Sequence, residues 1–95
     1  MSLVIVGGNE RMVRTYRDIG REYGFRVKVF PKESSSMKKK IGRPDLLVFF
    51  TGTVSHKMVI SASQEAKRNR IPIAHIHTSS ANALETLLAE KFGRL

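Results

Sequence analysis

Three short stretches of this sequence carry residue types that bind anions or move protons. Each stretch combines small, hydroxyl or amide residues with an arginine or a histidine, and such groups, together with backbone N–H donors, suit a phosphate or a carboxylate. A phosphate-containing small ligand is therefore expected, and no other cofactor is identifiable. The candidate ligand-binding residues are Gly7, Gly8, Asn9 and Arg11 in the first stretch, Thr51, Ser55 and His56 in the second, and His77, Thr78 and Ser79 in the third.

His56 is the best single candidate for chemistry, because an imidazole changes charge near neutral pH and can act as base, donor or metal ligand. No carboxylate lies near it in the sequence, and no set of nucleophile, base and orienting group is evident. His75 and His77 could share a metal ion, but a third ligand would have to be His56 or Glu10. We therefore predict no metal site. We also predict no catalytic residue and favour a protein that is not an enzyme; if a catalytic residue exists, it is His56.

The glycine pair does not extend into a known nucleotide-binding motif. A dinucleotide fingerprint needs a third spaced glycine, where this chain has Arg11, and an acid after the second strand, where it has Lys32. These departures argue against NAD in its usual pose. A phosphate loop that ends in Gly-Lys-Ser or Gly-Lys-Thr is absent, which excludes ATP hydrolysis of that type.

The pattern of apolar residues predicts the elements that position these stretches. Residues 3–6 and 45–50 are continuous apolar runs, typical of strands that are covered on both faces. Residues 25–30 alternate between apolar and cationic side chains, which indicates an edge strand with one exposed face. In chain order the sequence predicts strands at 3–6, 25–30, 45–50 and 71–76, and helices at 10–23, within 32–44, at 57–70 and after residue 80.

This alternation of strands and helices predicts an α/β fold of three layers, in which helices cover both sides of a doubly wound, four-stranded parallel sheet. Right-handed crossovers give the Rossmann-like or flavodoxin-like strand order 2-1-3-4. The length of the chain predicts one domain over residues 1–95. The winding reverses between the first and third strands, so a crevice is expected at the carboxyl ends of those strands, where the three polar stretches should meet.

Capping residues predict where the helices begin. Asn9 suits the N-cap of the first helix, and a serine among residues 34–36 suits that of the short second helix. Asn82 and Glu85 have the spacing of a capping box, which predicts that Asn82 caps the last helix. Pro72 is expected to open the fourth strand, because a strand tolerates proline at its first position.

The chain is strongly basic, with 17 lysine and arginine residues, 8 acidic residues and a net charge of +9. This charge favours attraction to nucleic acid, although solvated helix faces explain it equally well. Arg11, Arg14, Arg17 and Arg21 recur at helical spacing and predict a stripe that faces away from the sheet. The densest positive run, which a non-specific nucleic-acid surface would use against phosphates, comprises Lys38, Lys39, Lys40 and Arg43.

Composition and the fourth strand predict the setting and the assembly of the protein. The chain has no cysteine, which excludes a disulfide framework and favours a reducing compartment. No apolar run has the length of a membrane span, so we expect a cytoplasmic protein without a membrane partner. The fourth strand carries no charge apart from the titratable His75, and we predict a homodimer formed through this unguarded edge or through the last helix.

Four motifs along the chain suggest a family: Val6-Gly7-Gly8, Tyr16-Arg17, Val54-Ser55-His56 and Ser79-Ser80. With these motifs the chain resembles, over nearly its whole length, a bacterial family known as domain of unknown function 2325. The motif ending in His56 is the most specific of the four. The family often has an aspartate just before it, where this chain has Gly52, so any role of that aspartate is missing here. The resemblance implies a fold and a site position but no activity.

Three functions are therefore compared. The first is a non-catalytic domain that binds a small anionic ligand, or regulates through it, at the crevice. The second is a basic accessory protein that binds nucleic acid without base specificity. The third is an enzyme that uses His56 as an acid or base, which the shortage of carboxylates in the crevice stretches disfavours. We rank them in that order.

Overall fold

The computed structural model describes residues 1–32 and 37–93, and it gives the backbone but not the side chain of Lys38. The serine cap predicted at residues 34–36 lies outside the described residues. None of the helices in the described residues has the length and apolar character needed to cross a membrane. The elements are β1 (Ser2–Val6), a 3-10 helix (Glu10–Met12), α1 (Val13–Glu22), β2 (Arg26–Phe30), α2 (Met37–Ile41), β3 (Leu46–Phe50), α3 (His56–Arg68), β4 (Ile73–Ile76) and α4 (Ala81–Phe92).

The strands form one parallel sheet of four strands in the order β2-β1-β3-β4, as the sequence predicts. The two continuous apolar runs are the inner strands, and Val4 of β1 pairs with Lys28 on one side and with Leu47 on the other. Every residue of β3 is buried. The alternating strand β2 is an edge, which confirms its assignment, and β4 is the other edge.

Helices cover both faces of the sheet. Successive residues of β1 point to opposite faces, so they enter different core clusters. Leu3 belongs to a core cluster with Tyr16 of α1 and Leu84 of α4. Val4 belongs to a second cluster, which contains Met58 of α3 and residues of α2. The protein is therefore a three-layer, doubly wound α/β fold in which α1 and α4 lie on one face and α2 and α3 on the other.

Helix α1 buries the face that its periodicity predicts. Tyr16 and Ile19 are buried, and the arginines of the predicted stripe are exposed. Gly20 is also buried, and a Cβ built there would overlap with the side chain of Val27 in β2. The absence of a side chain at Gly20 lets α1 pack closely on the edge strand. Helical periodicity alone does not predict this role.

The predicted boundaries of α1 and α3 are wrong by about a turn or less. The segment 10–23 does not begin as an α-helix, because the Met12 N–H donates to the Asn9 carbonyl oxygen at 2.9 Å in a 3-10 helix, and α1 starts at Val13. Helix α3 starts at His56 rather than at residue 57, since Ser55 is its N-cap. It ends at Arg68 rather than at residue 70.

The fourth strand begins at Ile73 and not at residue 71. The Ile71 N–H donates to the Ala66 carbonyl oxygen at 2.8 Å, so this residue still bonds to the end of α3. Pro72 has no N–H to add to the ladder, but its carbonyl oxygen accepts from the Leu47 N–H at 2.9 Å. Proline therefore precedes the strand instead of opening it.

The N-cap predicted for the last helix is also wrong. Ser80 caps α4, and its Oγ accepts from the Ala83 N–H at 3.1 Å. Asn82 therefore lies inside the first turn. Glu85 is used elsewhere, since its carboxylate accepts a hydrogen bond of 2.8 Å from the Tyr23 hydroxyl of α1.

Candidate functional site

The loops that follow β1, β3 and β4 bond to one another at the carboxyl edge of the sheet. The Gly8 N–H, after β1, donates to Thr53 Oγ1, after β3, at 2.8 Å. The Gly52 N–H, also after β3, donates to the carbonyl oxygen of His77, after β4, at 3.0 Å. The structure thus brings together the three stretches that carry the candidate residues, and we call their common surface the loop edge (residues 7–11, 51–56 and 77–80).

Tyr16 links the first loop to the third. Its hydroxyl donates to the Ser79 carbonyl oxygen at 2.5 Å and accepts from the Asn9 N–H at 3.2 Å. The side chain is fully buried, and its ring lies 5.1 Å from that of Phe50, centroid to centroid. Periodicity predicts the burial of Tyr16 but not these partners, because Ser79 is 63 positions away in the chain.

The two glycines of the first loop are required by the packing of the loops. Gly7 and Gly8 have φ values of +96° and +93°, which side-chain-bearing residues rarely adopt. A Cβ at Gly7 would overlap with Val54, and one at Gly8 would lie 2.8 Å from Tyr16 Cε2. A glycine turn that binds an anion would leave its backbone open to the ligand. In the structure the close neighbours are side chains of the protein itself.

Four N–H groups of the first loop, at residues 7, 8, 9 and 11, already have acceptors within the protein. Gly7 donates to the Phe30 carbonyl oxygen at 2.9 Å, and the Arg11 N–H donates to Asn9 Oδ1 at 2.9 Å. The Gly8 and Asn9 N–H groups are bonded as described above. A ligand at the first loop would therefore meet side chains, chiefly the exposed Arg11, rather than a cradle of backbone donors.

The second loop presents His56 at the start of α3. Ser55 Oγ accepts from the Met58 N–H at 3.2 Å and caps the helix, which places the exposed His56 in its first turn. The helix N-terminus carries a partial positive charge, so an anion beside His56 would be favoured there. Thr51 is exposed as well, and its N–H donates to the Ile76 carbonyl oxygen at 2.8 Å.

Gly52 closes the contact between the second and third loops. A Cβ at this position would lie 2.6 Å from the His77 carbonyl oxygen, the atom to which the Gly52 N–H donates. A side chain at position 52 would therefore force these two loops apart. The aspartate that the family resemblance implies in this loop would therefore not fit at position 52 in the present arrangement.

The third loop presents His77 and Thr78, both exposed, whereas Ser79 is partly buried and contributes its carbonyl oxygen to Tyr16. Strand β4 ends at Ile76, so His77 lies beyond the strand and His75 within it. The His75 ring stacks on that of Phe49 at a centroid distance of 5.4 Å.

The loop edge has one permanent cation, Arg11, beside two histidines. Glu10 is the sole acid in its three stretches, and its carboxylate forms an ion pair of 2.9 Å with Lys32. Arg11, His56 and His77 face no other carboxylate from these stretches. Within residues 1–32 and 37–93, no group of three or more His, Asp or Glu side chains is placed to hold a metal ion.

The proposed nucleic-acid residues lie elsewhere, on α2 and just beyond it. Lys39 and Lys40 are exposed in α2, and Arg43 is exposed in the turn that follows. The side chain of Lys38 lies outside the described residues. The Lys40 carbonyl oxygen accepts a hydrogen bond of 3.1 Å from Lys28 Nζ, which ties α2 to the edge strand β2.

The model of a family described as an uncharacterized protein conserved in bacteria, DUF2325, matches residues 2–91 of the chain. The chain belongs to this family. The match runs from the first strand into the last helix and confirms the resemblance carried by the four motifs. Neither the curated proteins nor the solved structures gave a match. The DUF2325 description names no ligand and no reaction, so the function of this chain is inferred from its own geometry.

Proposed function

We propose that this DUF2325 domain is a non-catalytic module that binds a small anionic ligand, through a phosphate or carboxylate group, at the loop edge between β1 and β3. The observation that supports this most is the assembly of three loops bearing Arg11, His56 and His77, while their sole carboxylate, Glu10, is paired with Lys32. An anion there would gain one cation, Arg11, and the imidazole donors without facing an unpaired acid.

Side chains would supply the contacts. The Arg11 guanidinium offers a planar fork of donors, which fits phosphate or carboxylate oxygens. The His56 imidazole can donate from a ring nitrogen, and the Ser55 hydroxyl keeps its own proton to donate while its oxygen accepts from Met58. The N-terminus of α3 adds a favourable electrostatic contribution.

The same geometry argues against catalysis by His56. General acid–base chemistry uses a second group that orients the imidazole or shares its proton. No acid occurs between Thr51 and His56, and Glu10 is engaged by Lys32. Binding, with His56 as a donor, requires neither partner.

Isothermal titration calorimetry of the intact chain tests this function. Inorganic phosphate, nucleotides and small carboxylates are titrated into the wild type, His56→Ala and the control His75→Ala, which removes a histidine of β4 outside the three loops. We expect saturable binding of at least one of these anions, weakened about tenfold or more in His56→Ala, since a hydrogen bond to a charged group contributes about 1.5–3 kcal/mol. Equal weakening in both variants, or no binding of any of these anions, would refute the proposal.

A further inference from the structure

A positive surface begins at Arg11 of the loop edge, follows the outer face of α1 and continues along the edge strand β2. One hollow of about 510 Å³ follows α1 and is lined by Arg11, Arg14, Arg17 and Arg21. A second hollow of about 330 Å³ lies between α1, β2 and α2 and is lined by Arg17, Lys28, Lys39 and Lys40. Arg17 lines both hollows, so they form one continuous surface, which we call the basic face.

The charge on the basic face is unbalanced. Seven cations and two carboxylates, Glu10 and Asp18, line the two hollows. Glu10 is paired with Lys32, and Asp18 approaches Arg21 at 3.8 Å with both side chains largely exposed, which makes this a weak ion pair. A large excess of positive charge is therefore presented to solvent over the whole face.

The spacing of the cations suits a polymer of phosphates better than one small anion. Arg14, Arg17 and Arg21 are separated by three and four residues and lie on one side of α1. At a rise of about 1.5 Å per residue they span about 10 Å, which corresponds to roughly three nucleotides of each duplex strand at about 3.4 Å of helix axis per nucleotide. Lys28, Lys39 and Lys40 extend this row past the edge of the sheet.

We propose that the basic face binds nucleic acid through its phosphate backbone, without reading the bases. The side chains that give the face its positive charge are arginines and lysines, which contact phosphates whatever the base sequence. Asparagine and glutamine, which read adenine, line neither hollow in the described residues. The hydrogen bond from Lys28 Nζ to the Lys40 carbonyl oxygen at 3.1 Å holds the β2 and α2 parts of the face together.

An anionic membrane is the weaker candidate for this surface. Peripheral helices that bind membranes insert large apolar side chains beside their cations. In the part of the chain that the structure describes, the exposed large apolar side chains are Met1, Ile60 and Phe92. They lie before β1, on α3 and at the end of α4, and none of them lines the basic face.

Fluorescence anisotropy with labelled duplexes of two unrelated sequences, as DNA and as RNA, tests the proposal at 50 and 200 mM salt. We expect the same affinity for both sequences and a linear fall of log K with log salt. The test variant carries Arg14→Gln, Arg17→Gln and Arg21→Gln, all exposed positions. Losing three phosphate contacts should reduce the salt-induced change in affinity about 40-fold, since each contact contributes about 0.9 to the slope.

A charge-matched control separates this face from net charge. It carries Lys67→Gln, Arg68→Gln and Arg70→Gln at and beyond the end of α3, on the other side of the sheet. This control should keep the wild-type slope. Thermal unfolding checks that all variants are folded.

Three results would overturn the proposal: no binding of any duplex at 50 mM salt, equal loss in the test and control variants, or tighter binding to phosphatidylserine vesicles than to the duplexes. A preference for one of the two duplex sequences would overturn the claim that the bases are not read.

Discussion

The Tyr16 hydroxyl donates to the Ser79 carbonyl oxygen at 2.5 Å and so joins α1 to the loop before α4. The Tyr16 hydroxyl oxygen in turn accepts from the Asn9 N–H at 3.2 Å. One buried phenol therefore connects the first and third loops of the loop edge, and the arrangement of the candidate residues depends on it.

Tyr16→Phe should destabilise the protein and loosen the loop edge. The substitution keeps the ring but removes the acceptor of the Asn9 N–H and the donor to Ser79, which should lower the free energy of unfolding by about 1–3 kcal/mol. Urea denaturation measures this change, and hydrogen exchange at the Asn9 amide should accelerate. The control is Tyr23→Phe, which removes the bond to Glu85. If Tyr23→Phe lowers the free energy of unfolding by as much and accelerates exchange at Asn9 equally, Tyr16 has no special role in joining the loops.

Gly8→Ala should be more destabilising than Gly24→Ala. Both glycines have positive φ, at +93° and +81°, so both substitutions carry a backbone cost of about 1 kcal/mol. A Cβ at Gly8 would also lie 2.8 Å from Tyr16 Cε2, whereas one at Gly24 has nothing within 4 Å. The difference between the two free energies of unfolding isolates the clash with Tyr16. Equal values for the two variants would show that the packing argument fails.

The chain should form a homodimer through the β4 edge. The Leu47 and Thr51 N–H groups donate to Pro72 and Ile76, so alternate residues of β4 face β3, and the N–H of His75 faces outward. His75→Pro should remove a pairing donor without disturbing the β3–β4 ladder. Sedimentation should show a dimer of the wild type at tens of micromolar and a monomer of the variant. A monomeric wild type would contradict the prediction, and a dimeric variant would point to α4 instead.

Local patterns were sufficient to predict the fold. The continuous apolar runs at β1 and β3 identify strands buried on both faces, and the alternation in β2 identifies an edge. Chain order and crossover handedness then leave few arrangements. The three polar stretches follow strands of one parallel sheet, so their meeting at one edge also follows from topology.

Side-chain partners that are distant in sequence could not be predicted in this way. Asn82 and Glu85 have capping-box spacing, but Glu85 binds Tyr23 of another helix and Ser80 caps α4 instead. The glycine turn resembles a ligand-binding turn in sequence, yet its N–H groups are used by Thr53 and Tyr16. In both cases a tertiary contact decides which local option the chain uses.

The anion site is tested most directly by mapping backbone amide shifts in ¹⁵N-labelled protein during a titration with inorganic phosphate. Binding at the loop edge predicts saturable shifts at residues 8–11 and 55–57, which are lost in His56→Ala, while the amides of Arg14, Arg17 and Arg21 on the basic face stay still. If the loop-edge amides do not move at tens of millimolar phosphate, or move equally in His56→Ala, the loop edge holds no anion and the proposed function is wrong.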